Sequence, residues 1–370
     1  WESQELASGL RGELRLRGRI LQIPELSGDL AGGILRAAGG IRFPQADRGW
    51  YVASVERGEA ARLLLPFSES LAEAVKGSVD VTVRGSLGSE WQGGGRISLA
   101  RGKILEIEVG DVRVPFDYVF APGRGGAQIE IPEAGGQVGT GRVTGRLSLT
   151  TGLTTRAEGR ILFQNVELRQ ALRGYADLGS TLGKGRTTGR FDFSGREMRS
   201  LNDLTGRLEA NLSQTQALDL PVLRQVTPFL TGLSSATTFR SGLLKASLGN
   251  GVFRVHSLAL ENAAARLIAE GTVTLQGRLN LEVTARTGQL IAPPSLLRLV
   301  GTSVGQPLVG EALAQASTWL SNRVVHLRVT GTFRNPLVRV EPVSILTSEA
   351  IRFLLRSNLP LQEFPGVFSP

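Results

Sequence analysis

Between Val324 and Pro342 the chain reads VVHLRVTGTFRNPLVRVEP, with Val325, Leu327, Val329 and Phe333 on alternate positions. A break follows at Asn335-Pro336, and alternation resumes with Val338 and Val340. In an extended chain successive side chains point to opposite faces, so this spacing predicts strands that are greasy on one side only. A one-sided strand must hide its apolar face, and that demand constrains the fold more than any other feature. The same unit recurs, with Gly and then Arg or Thr ahead of an apolar alternation: GRILQI at 18, GRLSL at 145, GRILF at 159, GRFDF at 189, GRLEANL at 206, GRLNLEV at 277 and GTF at 331. The irregular spacing argues against a solenoid of fixed coil length and for a long antiparallel meander with variable turns. Glycine, 47 of 370 residues, is scattered singly and reads as punctuation for many short strands. Because Pro cannot donate to a ladder, Asn335-Pro336 reads as a bulge or edge in the last strand.

Three stretches break the alternation. Residues 167–182 (ELRQALRGYADLGSTL) carry Leu168, Leu172, Tyr175, Leu178 and Leu182 at helical spacing, and residues 309–320 carry Val309, Leu313, Ala316 and Leu320. After Pro342, a stripe of Leu346, Ala350, Ile351, Leu354 and Leu355 predicts a C-terminal amphipathic helix that ends before Pro360. This tail is expected to cap an open end of the sheet, with binding to a membrane surface as the rival role. Residues 220–233, apolar with two prolines, read as a short broken helix.

Chemistry-bearing constellations are scarce. His256 and His326 each stand alone in a strand-like alternation and read as surface-face histidines, so no metal site is expected. GSTLGKG at 179–185 falls short of a phosphate loop, with Gly185 where a Ser or Thr would bind metal. GGQVGTGRVTG at 135–145 precedes a strand where a dinucleotide site needs a helix, and reads as a flexible connection. No catalytic residue, no cofactor and no enzymatic function are expected. The net charge of +9 comes almost wholly from arginines spread evenly along the chain, without the dense basic run of a nucleic-acid groove, so nucleic acid is not an expected partner. Cysteine is absent, which excludes disulfides and leaves the compartment open. No stretch reaches the length of a membrane-spanning helix, and the chain reads as a piece of something longer, with a membrane anchor expected outside it.

The order of elements in residues 244–287 (LKASLGNGVFRVHSLALENAAARLIAEGTVTLQGRLNLEVTART), closed after a helical insert by HLRVTGTFRNPLVRVEP at 326–342, resembles the C-terminal region of the AsmA-like family. The likeness is to the TamB and YhdP type, within the bridge-like lipid-transfer superfamily. The matching residues are Gly271, Thr272, Val273, Leu275, Leu279, Leu281 and Val283, then Val329, Gly331, Thr332, Phe333, Pro336 and Val338. The upstream LTGRLEANLSQTQALDLPVLRQVTPFL at 204–230 is similar to the strand and "LP" helix that precede this region in the family. The resemblance covers about residues 140–342, whereas residues 1–140 match in style alone.

What the resemblance implies is a mainly β fold, a long curved antiparallel sheet forming a taco-like groove with a few amphipathic helices. The expected segments are a β-rich part over 1–140 that continues an upstream sheet, the AsmA-like β region over 141–342, and the tail over 343–370. Stretches 123–126 and 135–141 mark the expected seam. The implied function is non-enzymatic lipid handling in the cell envelope. The protein would provide part of a hydrophobic groove for phospholipid transport between membranes and for outer-membrane assembly, in the periplasm and anchored to the inner membrane of a diderm bacterium. Expected partners are phospholipid acyl chains, the membrane and envelope proteins. The groove candidates are Phe191, Phe193, Leu208, Leu212, Phe253, Val255, Leu279, Leu281, Val283, Val329 and Phe333. Periodicity by itself leaves a second possibility open, a β-rich scaffold whose apolar faces close on each other as an ordinary core and which binds partners by its edges.

Overall fold

The computed structural model describes residues 7–43, 49–65, 69–104, 107–122, 125–171, 185–215, 238–262, 265–287, 324–332, 335–341, and residues 351, 353 and 354. Among them the chain is mainly β, and nineteen strands belong to one open, antiparallel sheet. In chain order these are β1 (Ala7–Gly12), β2 (Arg15–Arg17), β3 (Ile20–Leu30), β4 (Gly33–Arg42), β5 (Gly49–Glu59), β6 (Val75–Leu87), β7 (Trp91–Ile104), β8 (Ile107–Ala121), β9 (Gly126–Val138) and β10 (Gly141–Thr151). They continue with β11 (Thr155–Glu167), β12 (Arg186–Met198), β13 (Thr205–Thr215), β14 (Phe239–Gly249), β15 (Val252–Glu261), β16 (Ala265–Thr274), β17 (Arg278–Thr287), β18 (Val325–Thr332) and β19 (Pro336–Val340). The chain divides into two compact units, residues 1–174 with 190–205 and residues 175–189 with 206–370.

In the first unit each strand from β3 to β10 pairs antiparallel with its successor, and β1 and β2 lie end to end along β3. Register shifts interrupt several ladders, at Ile23/Leu26, Val55/Gly58 and Gly77/Val79 among others. Such bulges add local twist without moving side chains to the wrong face. The stretch at 135–145, expected to be a flexible connection, is two paired strands joined by a tight turn. Gly135 and Gly136 lie in β9 opposite Thr144 and Val143 of β10, and the two strands turn at Gly139-Thr140.

Two short helices that alternation did not foretell, α1 (Ala60–Leu64) and α2 (Glu69–Ala74), fill the connection from β5 to β6. Ala60 is buried with Val79 and Leu99, and Leu63 packs on the same cluster, so α1 seals one end of the apolar face. A single turn of helix leaves only the i, i+3 mark of Ala60 and Leu63, too little to stand out beside long period-two runs. Of the helix expected over 167–182, the structure describes α3 (Leu168–Ala171); its remainder, and the helices expected over 220–233 and 309–320, lie outside the described residues.

In the second unit each strand from β13 to β18 pairs antiparallel with its successor. The Asn335-Pro336 break opens a separate edge strand, the second of the two expected readings, and is not a bulge within one strand. Pro336 opens β19 opposite Gly331, and the Thr332 amide donates to the Asn335 carbonyl at 3.2 Å. Pro fits there because its missing N–H is not needed at the first position of an edge strand. In the tail, Ile351, Phe353 and Leu354 are helical, as the apolar stripe predicts.

Candidate functional site

Register turns the one-sided strands of the first unit into one apolar face. Cross-strand partners point the same way, so the ladders can be read sideways as ranks. One rank runs Leu35, Val55, Val81, Ile97 and Val114 from β4 to β8, and the next runs Ala37, Ala53, Val83, Gly95 and Phe116. A third runs Ile23, Gly39, Tyr51, Gly85, Gly93, Tyr118, Ile129, Leu149 and Ala157, from β3 to β11. No formal charge interrupts these three ranks. The opposite face is polar: Arg36, Ser54, Thr82 and Arg96 share a rank there, with ion pairs Arg36–Glu56 and Arg160–Asp192.

The apolar face is only half covered. Val83, Ile97, Val114, Phe116, Tyr118, Ile129, Leu147 and Leu149 are all half-buried, and within the three ranks full burial is limited to Val55 and Ala157, with Val79 and Leu99 buried next to Val55 towards the α1 end. Beyond the third rank Trp91 meets Phe120 edge to face at 5.7 Å, with Trp91 42% exposed. Two-sheet cores bury such residues almost completely. Glycines keep the face low where rings lie across neighbouring strands: Phe116 crosses Gly95, and Phe193 crosses Gly159.

The expected groove residues fall in both units. Phe191 and Phe193, in the part of β12 that belongs to the first unit, are half-buried and stack on each other at 5.5 Å. Leu208, Leu212, Phe253, Val255, Leu279, Leu281, Val283 and Val329 come together on one face of the second unit, in a single cluster with Leu260, Leu267 and Leu327. Leu208, Leu212 and Phe253 are partly covered, whereas Val283 and Val329 are fully buried. Phe333 lies outside the described residues.

The second unit departs from one-sidedness in β16 and β17. Ala265–Ala269 are five consecutive buried residues, and Val283–Arg286 are buried as well. The face opposite the cluster carries Arg266, Ile268, Thr284, Arg286 and His326, all buried. Arg266 donates two hydrogen bonds to Glu261, at 2.6 and 3.0 Å, and a third to the Phe353 carbonyl at 3.0 Å, with its guanidinium 5.8 Å from the Phe353 ring centroid. Its cross-strand neighbour Arg286 donates to the Leu354 carbonyl at 2.6 Å. Burial lowers the pKa of Arg286, the nearby Arg266 charge adds to the fall, and Glu261 opposes it. The two histidines differ. His256 is exposed and meets Ser247 Oγ at 2.8 Å, while His326, expected on the surface, is buried with Nδ1 3.0 Å from Thr284 Oγ1. The tail turn covers this face at Arg266 and Arg286, two positions that alternation marks as polar.

Among the described residues no group of three or more His, Cys, Asp or Glu is placed to hold a metal ion, and no helix is long and apolar enough to cross a membrane. No family model, curated protein or solved structure matches the chain.

Proposed function

We propose that the protein is a non-enzymatic lipid-handling component of a cell envelope, with phospholipid acyl chains lying along its apolar sheet face. The observation that carries this is the half-covered, charge-free set of ranks in the first unit. Each acyl methylene moved from water onto such a face gains about 0.8 kcal/mol, so a chain is held without directional contacts and can slide. The Gly-rich ranks suit that role, because they lower the floor where a chain would lie. In the second unit the partly covered Leu208, Leu212 and Phe253 are the acyl-facing candidates, and the buried members of their cluster support the sheet behind them. The motifs shared with AsmA-like proteins favour the same function and, with it, a periplasmic location and an inner-membrane anchor outside this chain.

A scaffold with closed cores is the second reading, and the full burial of Val283, Leu327 and Val329 favours it for the second unit. Mass spectrometry of an organic extract of the purified chain separates the two. Phospholipid retained through gel filtration, in stoichiometric amounts, is the expected result; a lipid-free protein favours the scaffold.

A further inference from the structure

We infer that the apolar face of the first unit holds a hydrogen-bonding station at Tyr51 and Tyr118, which takes an uncharged oxygen of a long-chain amphiphile, an ester carbonyl or an alcohol. The inference rests on the proposed lipid-binding role of this face and adds to it a ligand chemistry. Tyr51, Gly85, Gly93 and Tyr118 occupy four adjacent strands in one rank, β5 to β8. From its two ends the tyrosines lean inward. A Cβ at Gly85 would stand 2.6 Å from the Tyr51 hydroxyl, and one at Gly93 would stand 2.8 Å from the Tyr118 hydroxyl. Both phenol oxygens thus lie over the paired glycines, in the middle of a face otherwise made of hydrocarbon.

The Tyr118 hydroxyl is buried and has no hydrogen-bond partner. A buried hydroxyl left unpaired is costly, and a bond offered by a ligand removes that cost. The residue as a whole is only half-buried, so a small change of its side-chain torsions brings the hydroxyl off Gly93 towards a chain lying above it. Burial raises the pKa of Tyr51, which keeps that phenol neutral and able to donate. Charge at the station is unfavourable for the ligand too. The flanking positions on this face are Ala53, Val83, Gly95 and Phe116 on one side and Leu87, Trp91 and Phe120 on the other, with no cation to meet an anionic head group. What fits is an acceptor oxygen that carries no charge and is attached to a long apolar chain.

The test is equilibrium dialysis of the delipidated full chain against 1-dodecanol and, separately, dodecane, with bound ligand measured by gas chromatography. Tyr118→Phe and Tyr51→Phe remove only a hydroxyl and keep the rings over their glycines. The expected result is that the ratio of dodecanol to dodecane affinity falls about tenfold in Tyr118→Phe, the equivalent of one hydrogen bond, and falls further in the double variant. Dodecane binding should stay unchanged. The thermal midpoint of Tyr118→Phe should equal or exceed that of the unaltered chain, since an unpaired buried oxygen is lost. If both ligands bind and the ratio is the same in all the proteins, the station does not exist and the lipid-binding role stands. If neither ligand binds to any of them, that role fails and the inference falls with it.

Discussion

Glycine decides most at the scale of single residues. Read along the sequence, Gly-Arg marks where strands begin, and at Gly206 and Gly277 it does, on either side of the first residues of β13 and β17. Gly145, Gly159 and Gly189 instead lie inside strands of 11 to 13 residues, so the strands are longer than the punctuation suggested. Gly159 is there to admit the Phe193 ring, a cross-strand requirement that no local pattern records. Gly93 is a sharper case: a methyl group there would come within 2.7 Å of the Gly85 Cα as well as meeting Tyr118. Gly93→Ala should therefore cost about 1–3 kcal/mol through overpacking. Gly135→Ala, where nothing lies within 4 Å of the added carbon, should be neutral or slightly stabilising. Thermal melts by circular dichroism check the pair, and equal losses would remove the clearance argument. Burial gives a second contrast. Val329→Glu puts a carboxylate at a position with 0% exposure, and we expect the second unit to lose its amide protection in hydrogen exchange.

Among the elements, β strands were legible and the short helix α1 was not, because period two repeats over ten or more residues whereas a single turn leaves two marks. The tail is the informative element. Its apolar stripe was readable, and its docking was not, since the partners are main-chain carbonyls that any sequence provides. Arg266 and Arg286 reach those carbonyls from a strand face that reads as polar, and the turn at 351–354 then hides both guanidinium groups. Arg266 holds the docking more firmly, because it also satisfies Glu261, whose side chain is 13% exposed. Arg266→Ala leaves that carboxylate without its partner and should cost about 3–5 kcal/mol, more than a surface ion pair could. Hydrogen exchange should show residues 351–354 losing protection while β4 to β8 keep theirs. If protection of 351–354 is unchanged, apolar contacts alone dock the turn.

At the scale of the whole molecule, the mainly β class and the antiparallel meander were legible from alternation, the open sheet was an expectation only through the family resemblance, and the way each apolar face is covered was not legible. Alternation is the same whether a face meets lipid, a second sheet or a helix, because the strand carries the period and the cover lies elsewhere in the chain. That is why the expected groove residues divide between the half-covered face of β12 in the first unit and the packed cluster of the second. On the proposed function, the first unit's apolar face is a surface for acyl chains and not a core. Val83 sits in the middle of it, half-buried between Ala53 and Gly95. The most direct measurement is the phospholipid content of purified Val83→Glu beside its thermal midpoint. We expect bound lipid to drop to background while the midpoint falls by only a few degrees, because the carboxylate can reach water across a face that is not closed. An unfolded first unit, or lipid retained at the level of the unaltered chain, would contradict it.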